Sequence, residues 1–389
     1  MSELLNGRWA ETKEALLEGL QGTKKSVMGV TLENTRKYLM ESPTAGATSA
    51  GNVATLNRVI LPVIRRVMPT VIANELVGVQ PMTGPVGQIH TLRVRYSDSS
   101  ASAGVVAGEE ALSPFKIAEA YSGNTSTGKA ASTATLEGQS GNRMSIQILK
   151  QTVEAKTRKL SARWTFESAQ DAQAQQGIDV EAEIMAALAQ EITAEIDQEI
   201  LASLGSLAGT ATQTYDQANV SGTATFVGDE HAALAIQINR VSNLIAQRTR
   251  RGAGNWAVVS PFALTILQSA TTSAFARTTE GTFEAPTNTK FVGTLNNAMK
   301  VYVNSYANDS TAVLIGYKGG SESDAAAFYC PYIPLMSSGV VLDPSTFEPT
   351  VSFMTRYGYV ELSNTASSLG NAADYLGKVA ITDGNVKFS

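Results

Sequence analysis

Between residues 179 and 204 large apolar residues return every four positions: Ile184, Leu188, Ile192, Ile196 and Ile200, with Met185, Ala189 and Leu201 widening the stripe. That period predicts one long amphipathic helix, with Asp179 as its N-cap and Gly205 as its stop. At 1.5 Å per residue it would run about 38 Å, enough to brace a domain. A second helix is predicted from Ala232 to Thr249. Asp229 and Glu230 at its start, and Arg248, Arg250 and Arg251 at its end, complement the helix dipole. A short amphipathic helix over 2–20 carries Leu5, Trp9, Leu16 and Leu20 on one face, as a docked terminal helix or an arm for a partner subunit. Residues 54–77 are apolar and helix-like but are divided by Pro62 and Pro69, which lack the amide a helix interior needs.

Period-two alternation marks the strands. Over 89–96, His90, Leu92, Val94 and Tyr96 share one face, and Ile89, Thr91, Arg93 and Arg95 the other. Residues 146–166 read as a second long extended segment. Between these stems, 97–144 is more than half Gly, Ala, Ser and Thr, which predicts a coreless projecting loop. An isolated hairpin is marginal in water, and no other segment is evidently there to cover this one. Trp256–Ser260 predicts a strand, Pro261 opens a short helix, and 299–361 is mostly strands with turns. The fold class is therefore α+β.

Composition narrows the function. The chain has 389 residues, 43% hydrophobic and only 17% charged, with a net charge of −5. A protein built to grip nucleic-acid phosphates would be basic. The single cysteine, Cys330, excludes an internal disulfide and any zinc site made of cysteines. The first residues carry acids where a secretory leader carries bases, and no apolar run is long enough for a membrane span, so a soluble cytosolic product is expected.

Charge is segregated along the chain. No lysine or arginine occurs between Arg163 and Arg240, while Glu191, Glu195, Asp197 and Glu199 crowd the long helix. Just before it lie Lys150, Lys156, Arg158, Lys159 and Arg163. A basic projection beside an acidic helix suits head-to-tail contact between copies. These residues, with Arg65, Arg66, Arg93 and Arg95, are the candidate intersubunit contacts.

Catalytic chemistry is sparse. Residues Gly123 to Lys129 match the first seven positions of a phosphate-binding loop, but Ala130 stands where the magnesium-holding hydroxyl belongs. Asp229-Glu230-His231 reads as a helix start rather than a carboxylate–histidine pair. Cys330 reads as a buried, inert thiol, and His90 as a cross-strand packing residue. No catalytic residue, cofactor site or metal site is assigned.

Four ordered blocks are familiar. They are Leu61 to Pro69 continuing through Ala73 to Pro85; Trp164-Thr165-Phe166-Glu167 with Asp171 and Gly177-Ile178-Asp179; Phe328 to Leu335; and Thr355-Arg356-Tyr357-Gly358. Together they closely resemble the major capsid proteins of T-even-type myoviruses. The resemblance implies the Hong Kong 97 fold of tailed-phage shells, with 1–58 as an N-terminal arm and 59–83 joining it to the body. It implies 84–165 as the extended β-hairpin loop that overlies a neighbour. It implies 166–228 with 346–389 as the peripheral domain, with 179–204 as its spine helix, and 229–345 as the axial domain. Leu39-Met40-Glu41 and Leu16-Leu17-Glu18 fit sites favoured by that family's maturation protease. Lys116 and Lys129 lie in the loop, but nothing marks a crosslinking partner for them.

The expectation is a structural subunit, not an enzyme. It would form hexamers and pentamers of an icosahedral head around double-stranded DNA, with portal, scaffold and decoration proteins as further partners and no membrane. It would reside in the virion after assembly in the host cytoplasm. An encapsulin-type compartment of the same fold is the alternative, and a phosphate-loop enzyme a remote one.

Overall fold

The computed structural model describes residues 22–41, 72–101, 103–111, 121–123, 130–138, 141–176, 179–220, 227–270, 275–277, 290–296, 298–307, 313–322, 324–346, 348–363, 371–382 and 386, with Trp9, Lys13, Glu14 and Leu17. The chain begins with helix α1 (Gly22–Glu41), a one-turn helix α2 (Ala73–Leu76) and strand β1 (Gly78–Val79). Strands β2 (Val86–Tyr96) and β3 (Met144–Glu154) flank the short α3 (Thr133–Leu136). Then come β4 (Lys156–Arg163), α4 (Phe166–Gln176) and the spine helix α5 (Val180–Leu207). The second half runs β5 (Gln213–Tyr215), α6 (Val227–Thr249), β6 (Trp256–Val259), α7 (Pro261–Ser269), β7 (Phe275–Arg277), β8 (Lys290–Leu295), β9 (Met299–Val303) and β10 (Val313–Gly316). It closes with β11 (Ala327–Ser337), β12 (Val341–Leu342), β13 (Pro349–Glu361) and β14 (Leu376–Ile381). The α+β class holds.

The spine helix starts where its sequence says it should: the Asp179 carboxylate accepts from the amides of Glu181 and Ala182. It runs past Gly205 to Leu207, and the reversal falls on Gly209, whose φ of +66° favours a residue without a Cβ. The four-residue stripe is buried as patterned, with Ile192, Ile196, Ile200 and Leu204 all but inaccessible. Each such side chain contributes about 1.5–3 kcal/mol over its exposed state.

Two sheets use that stripe. One is five-stranded, with β13 at its centre, β11 then β1 on one side, β12 at one end and β4 on the other edge. The second is seven-stranded in the order β5-β14-β10-β6-β9-β8-β7. Period two decides which face meets what. Trp256, Val258 and Leu314 join the core of the spine helix, whereas Ala257, Val259 and Ile315 pack under Leu234, Ile238 and Ile245 of α6 and Ile266 of α7.

Strand pairing redraws three expected boundaries. Strand β4, expected in the projecting loop, pairs along its length with β13. Strand β11, expected in the axial unit, sits between β1 and β13. Strand β14, expected with the peripheral return, lies between β5 and β10 of the seven-stranded sheet. Such long-range partners leave no local periodicity to read. The segment expected as one strand over 146–166 also breaks at Ala155, whose amide turns to the carbonyl of Pro85.

Helix α1 was not expected at all: its polar residues blur any stripe, yet Val27, Met28 and Leu32 are buried against the core. Most of the helix expected over 2–20 lies outside the described residues. Of it, Trp9 and Lys13 are helical and hydrogen-bond to Glu33 of the same chain at 3.3 and 3.2 Å. Residues 54–71, the part of the apolar segment that holds Pro62 and Pro69, also lie outside the described residues.

A Cβ on Gly78 would meet the Glu322 carbonyl oxygen at 2.3 Å and the Phe328 ring at 2.8 Å. Backbone cannot yield there, so Gly78→Ala should cost about 1–3 kcal/mol by overpacking. A lowered urea midpoint with unchanged slope would bear this out; an unchanged midpoint would not.

Candidate assembly surface

The hairpin of β2 and β3 pairs Val86 with Glu154 through Tyr96 with Met144. Cross-strand partners share a face, so Leu92 stands beside Ile148, Val94 beside Ile146 and His90 beside Lys150. This face is open: Leu92 is 66% exposed, Ile146 69%, Ile148 65% and Met144 53%. Four large apolar side chains in water leave several kcal/mol of burial unrealised within one chain. A continuous apolar strip of this kind marks an interaction site rather than scattered surface residues.

The distal end is not coreless. Tyr96, Val105, Ala111 and Tyr121 form a small satellite core, with the two tyrosine rings 4.7 Å apart and edge-on. Tyr121 donates to the carbonyl of Arg143 at 2.7 Å, and Asp98 pairs with the Arg143 guanidinium at 3.3 Å. Hydrogen bonds from the Arg143 side chain and amide hold the Asp98 carboxyl below the usual carboxylate range. The expectation of a loop without a core is corrected: two tyrosines suffice to organise small residues around them.

At the base of the hairpin, charge is spent inside the chain. Arg158 reaches Glu195 at 2.6 Å and Glu199 at 2.5 Å on the spine helix, and its Nε donates to the Tyr357 hydroxyl at 2.6 Å. Tyr357 in turn donates to Glu199. Burial alone would raise the Glu199 carboxyl, but the hydrogen bonds from Tyr357 and Arg158 outweigh it and hold it low. Burial works against the Arg158 charge too, and the bonds to Glu199 and Tyr357 prevail and raise it.

Several of the candidate intersubunit positions have partners within the chain. Arg158, Glu195 and Glu199, expected to meet between copies, meet each other in one chain because β4 packs on α5. Asp197 is 1% exposed and accepts the Ile72 amide at 3.0 Å, so it cannot reach a neighbour. Arg93 and Arg95 are buried on the inner hairpin face, with Arg93 paired to Glu110 at 3.2 Å. Lys150, Lys156, Lys159 and Glu191 are exposed, and Arg163, also exposed, approaches Glu348 at 3.5 Å. Arg65 and Arg66 lie outside the described residues, as does most of the phosphate-loop match, Lys116 and Lys129. What sequence reasoning missed was the open apolar face. Its signal was present in the alternation of Leu92 with Val94 and of Ile146 with Ile148.

Nothing here converges on a reaction. Cys330 is buried and its thiol pushed up to about 12 by that burial. His231 is buried against Ser269 at 2.5 Å rather than facing a cleft. Among the described residues no group of acids, histidine or cysteine is placed to hold a metal, and no helix is long and apolar enough to cross a membrane. The surface is that of a subunit built to associate.

Comparison with known proteins agrees. Residues 53–381 match the family described as major capsid protein Gp23. The major capsid protein of Vibrio phage KVP40 is 31% identical, over 85% of this chain and 81% of the relative. That of Enterobacteria phage T4 is 29% identical, over 81% and 76%. A solved chain from the capsid of Myoviridae phage XM1 overlays at a TM-score of 0.45 and 11% identity, covering 87% of this chain and 99% of that one. The chain belongs to the Gp23 family of major capsid proteins. It is therefore a structural, self-associating component of a phage capsid and not an enzyme.

The Arg158 cluster yields a signed prediction. Glu199 titrates below its unfolded value of about 4.3. Its contribution to stability is complete above that pH and is lost as pH falls through the lower, folded value. Glu199→Gln should lower the urea midpoint at pH 7, and the gap to wild type should close as pH falls through the lowered folded value. Joint reversal of Glu195 and Glu199 to lysine should destabilise the isolated chain; an unchanged midpoint in that variant would contradict the intrachain clamp.

Proposed function

We propose that this chain tiles the wall of a T-even-type phage head in six-fold and five-fold clusters of the Hong Kong 97 type, enclosing double-stranded DNA. The observation that carries this reading is the open apolar face of the β2–β3 hairpin, which nothing among the described residues covers. The hairpin acts as the extended loop over a neighbouring subunit, shortened to end near Ala155. The five-stranded sheet with the spine helix acts as the peripheral domain, and the seven-stranded sheet with α6 and α7 as the axial domain.

Contact is led by apolar burial, with charge in a supporting role. Lys150, Lys156, Lys159 and Arg163 on one copy, and Glu191 on the next, are the exposed charges left for it. The net charge of −5 suits a wall that does not trap packaged DNA. Assembly takes place in the host cytoplasm, with portal, scaffold and decoration proteins as further partners.

Ile146→Asp with Ile148→Asp tests the reading. Both side chains are exposed, so the folded chain should stay within about 0.5 kcal/mol of wild type. Negative-stain electron microscopy should find closed particles for the wild type and none for the double variant. Normal particles from the variant would refute the role given to the hairpin face.

A further inference from the structure

We propose that Asp197 is a proton-operated clasp, closed when its carboxyl is protonated and loosened when it ionises, at the seam between the spine helix and the strap formed by residues 72–82. This concerns the single chain and goes beyond its role in assembly.

The strap is fastened to the spine helix and to both sheets. The Ile72 amide donates to Asp197 of the spine helix at 3.0 Å. Lys318, on the connection from β10 to β11, donates to the carbonyl of Asn74 at 2.6 Å, and Lys300 of β9 pairs with Glu75 at 3.2 Å. Glu322 accepts the Val79 amide at 2.9 Å and pairs with Lys318 at 3.2 Å. Beyond β1, the amides of Gln80 and Met82 donate to carbonyls of β11 at 3.0 Å each.

Among the described residues, Asp197 is the member of this set that lacks a countercharge. Its side chain is buried, Oδ1 takes the Ile72 amide, and Oδ2 has no hydrogen-bond partner among the described residues. An ionised carboxylate in that position has one N–H to replace its hydration, and a buried charge so poorly compensated favours neutralisation. Burial accordingly pushes the Asp197 carboxyl up to about 7, against the lowering effect of the Ile72 amide.

The ionisable neighbours do not supply the missing charge. From β11 these are Tyr329 and Cys330 and from β13 Tyr357, all raised by burial. Glu199, two residues further along the same helix, is itself paired with Arg158, and across the strap Lys300 is matched by Glu75.

The sign follows from linkage. With the folded value near 7 and the unfolded value about 3.9, the closed seam holds a proton that the open seam releases. Its stability therefore falls as pH rises between those values. The opening constant should grow on the order of 50-fold from about pH 5 to about pH 8, and then level off.

Amide hydrogen exchange on the full chain, corrected for its intrinsic pH dependence, reads this directly. Protection of Ile72, Leu76 and Val79 should drop across that range while that of Ile192 and Ile200 in the spine helix holds. Asp197→Asn keeps an oxygen for the Ile72 amide but cannot ionise, so its strap protection should be flat with pH. Glu199→Gln, altering the neighbouring acid, should keep the wild-type response. A strap response in wild type that is flat, or one that survives Asp197→Asn, would overturn the proposal; the wild-type measurement stands even if the variant does not fold.

Discussion

The structure hangs on the burial of one helix. Ile192, Ile196, Ile200 and Leu204 place a continuous apolar stripe in the middle of the molecule, and two sheets take up their positions around it. Neither sheet could hide its inner face alone. The seven-stranded sheet turns Ala257, Val259 and Ile315 to α6 and α7, and its other side, with Trp256 and Val258, needs the spine layer. The hydrophobic effect is indifferent to direction, so orientation comes from polar fasteners at the rim. Arg158 fixes β4 to the spine helix, and the 72–82 strap fixes the β11 side.

The hairpin projects from that frame with its outer face uncovered by the described residues. Its inner face is used up at Arg93 and Arg95, and its distal end is held by the tyrosine pair. What remains is an apolar strip that one chain leaves to the solvent. For most soluble proteins this would be a liability; on the reading proposed above, a second copy covers it. Charge plays a different part from the one its segregation suggests. The β4 base Arg158 and the α5 acids Glu195 and Glu199 pair within one subunit.

Local chemistry made much of this legible. The Asp179 cap, the four-residue period of the spine helix, the Pro261 start and the alternation of β2 each stand in a short window and appear in the structure as read. The parts that did not read were non-local. Nothing near Leu376–Ile381 says that it will lie between β5 and β10, and nothing in 156–163 says that it will leave the hairpin for β13. Helix α1 has a mixed surface and owes its place to tertiary packing rather than to its own pattern. At the assembly surface, counting charges drew attention to Arg158 and Asp197, while the uncovered isoleucines two residues apart carried the stronger signal.

The central claim is that the face open within one chain is closed by another copy. Hydroxyl-radical footprinting of assembled particles and of dissociated chains measures this at Leu92, Ile146 and Ile148. These side chains should be oxidised readily in the free chain and protected in the particle, with buried Ile200 protected in both. Equal reactivity at Ile146 and Ile148 in the two states would contradict the account.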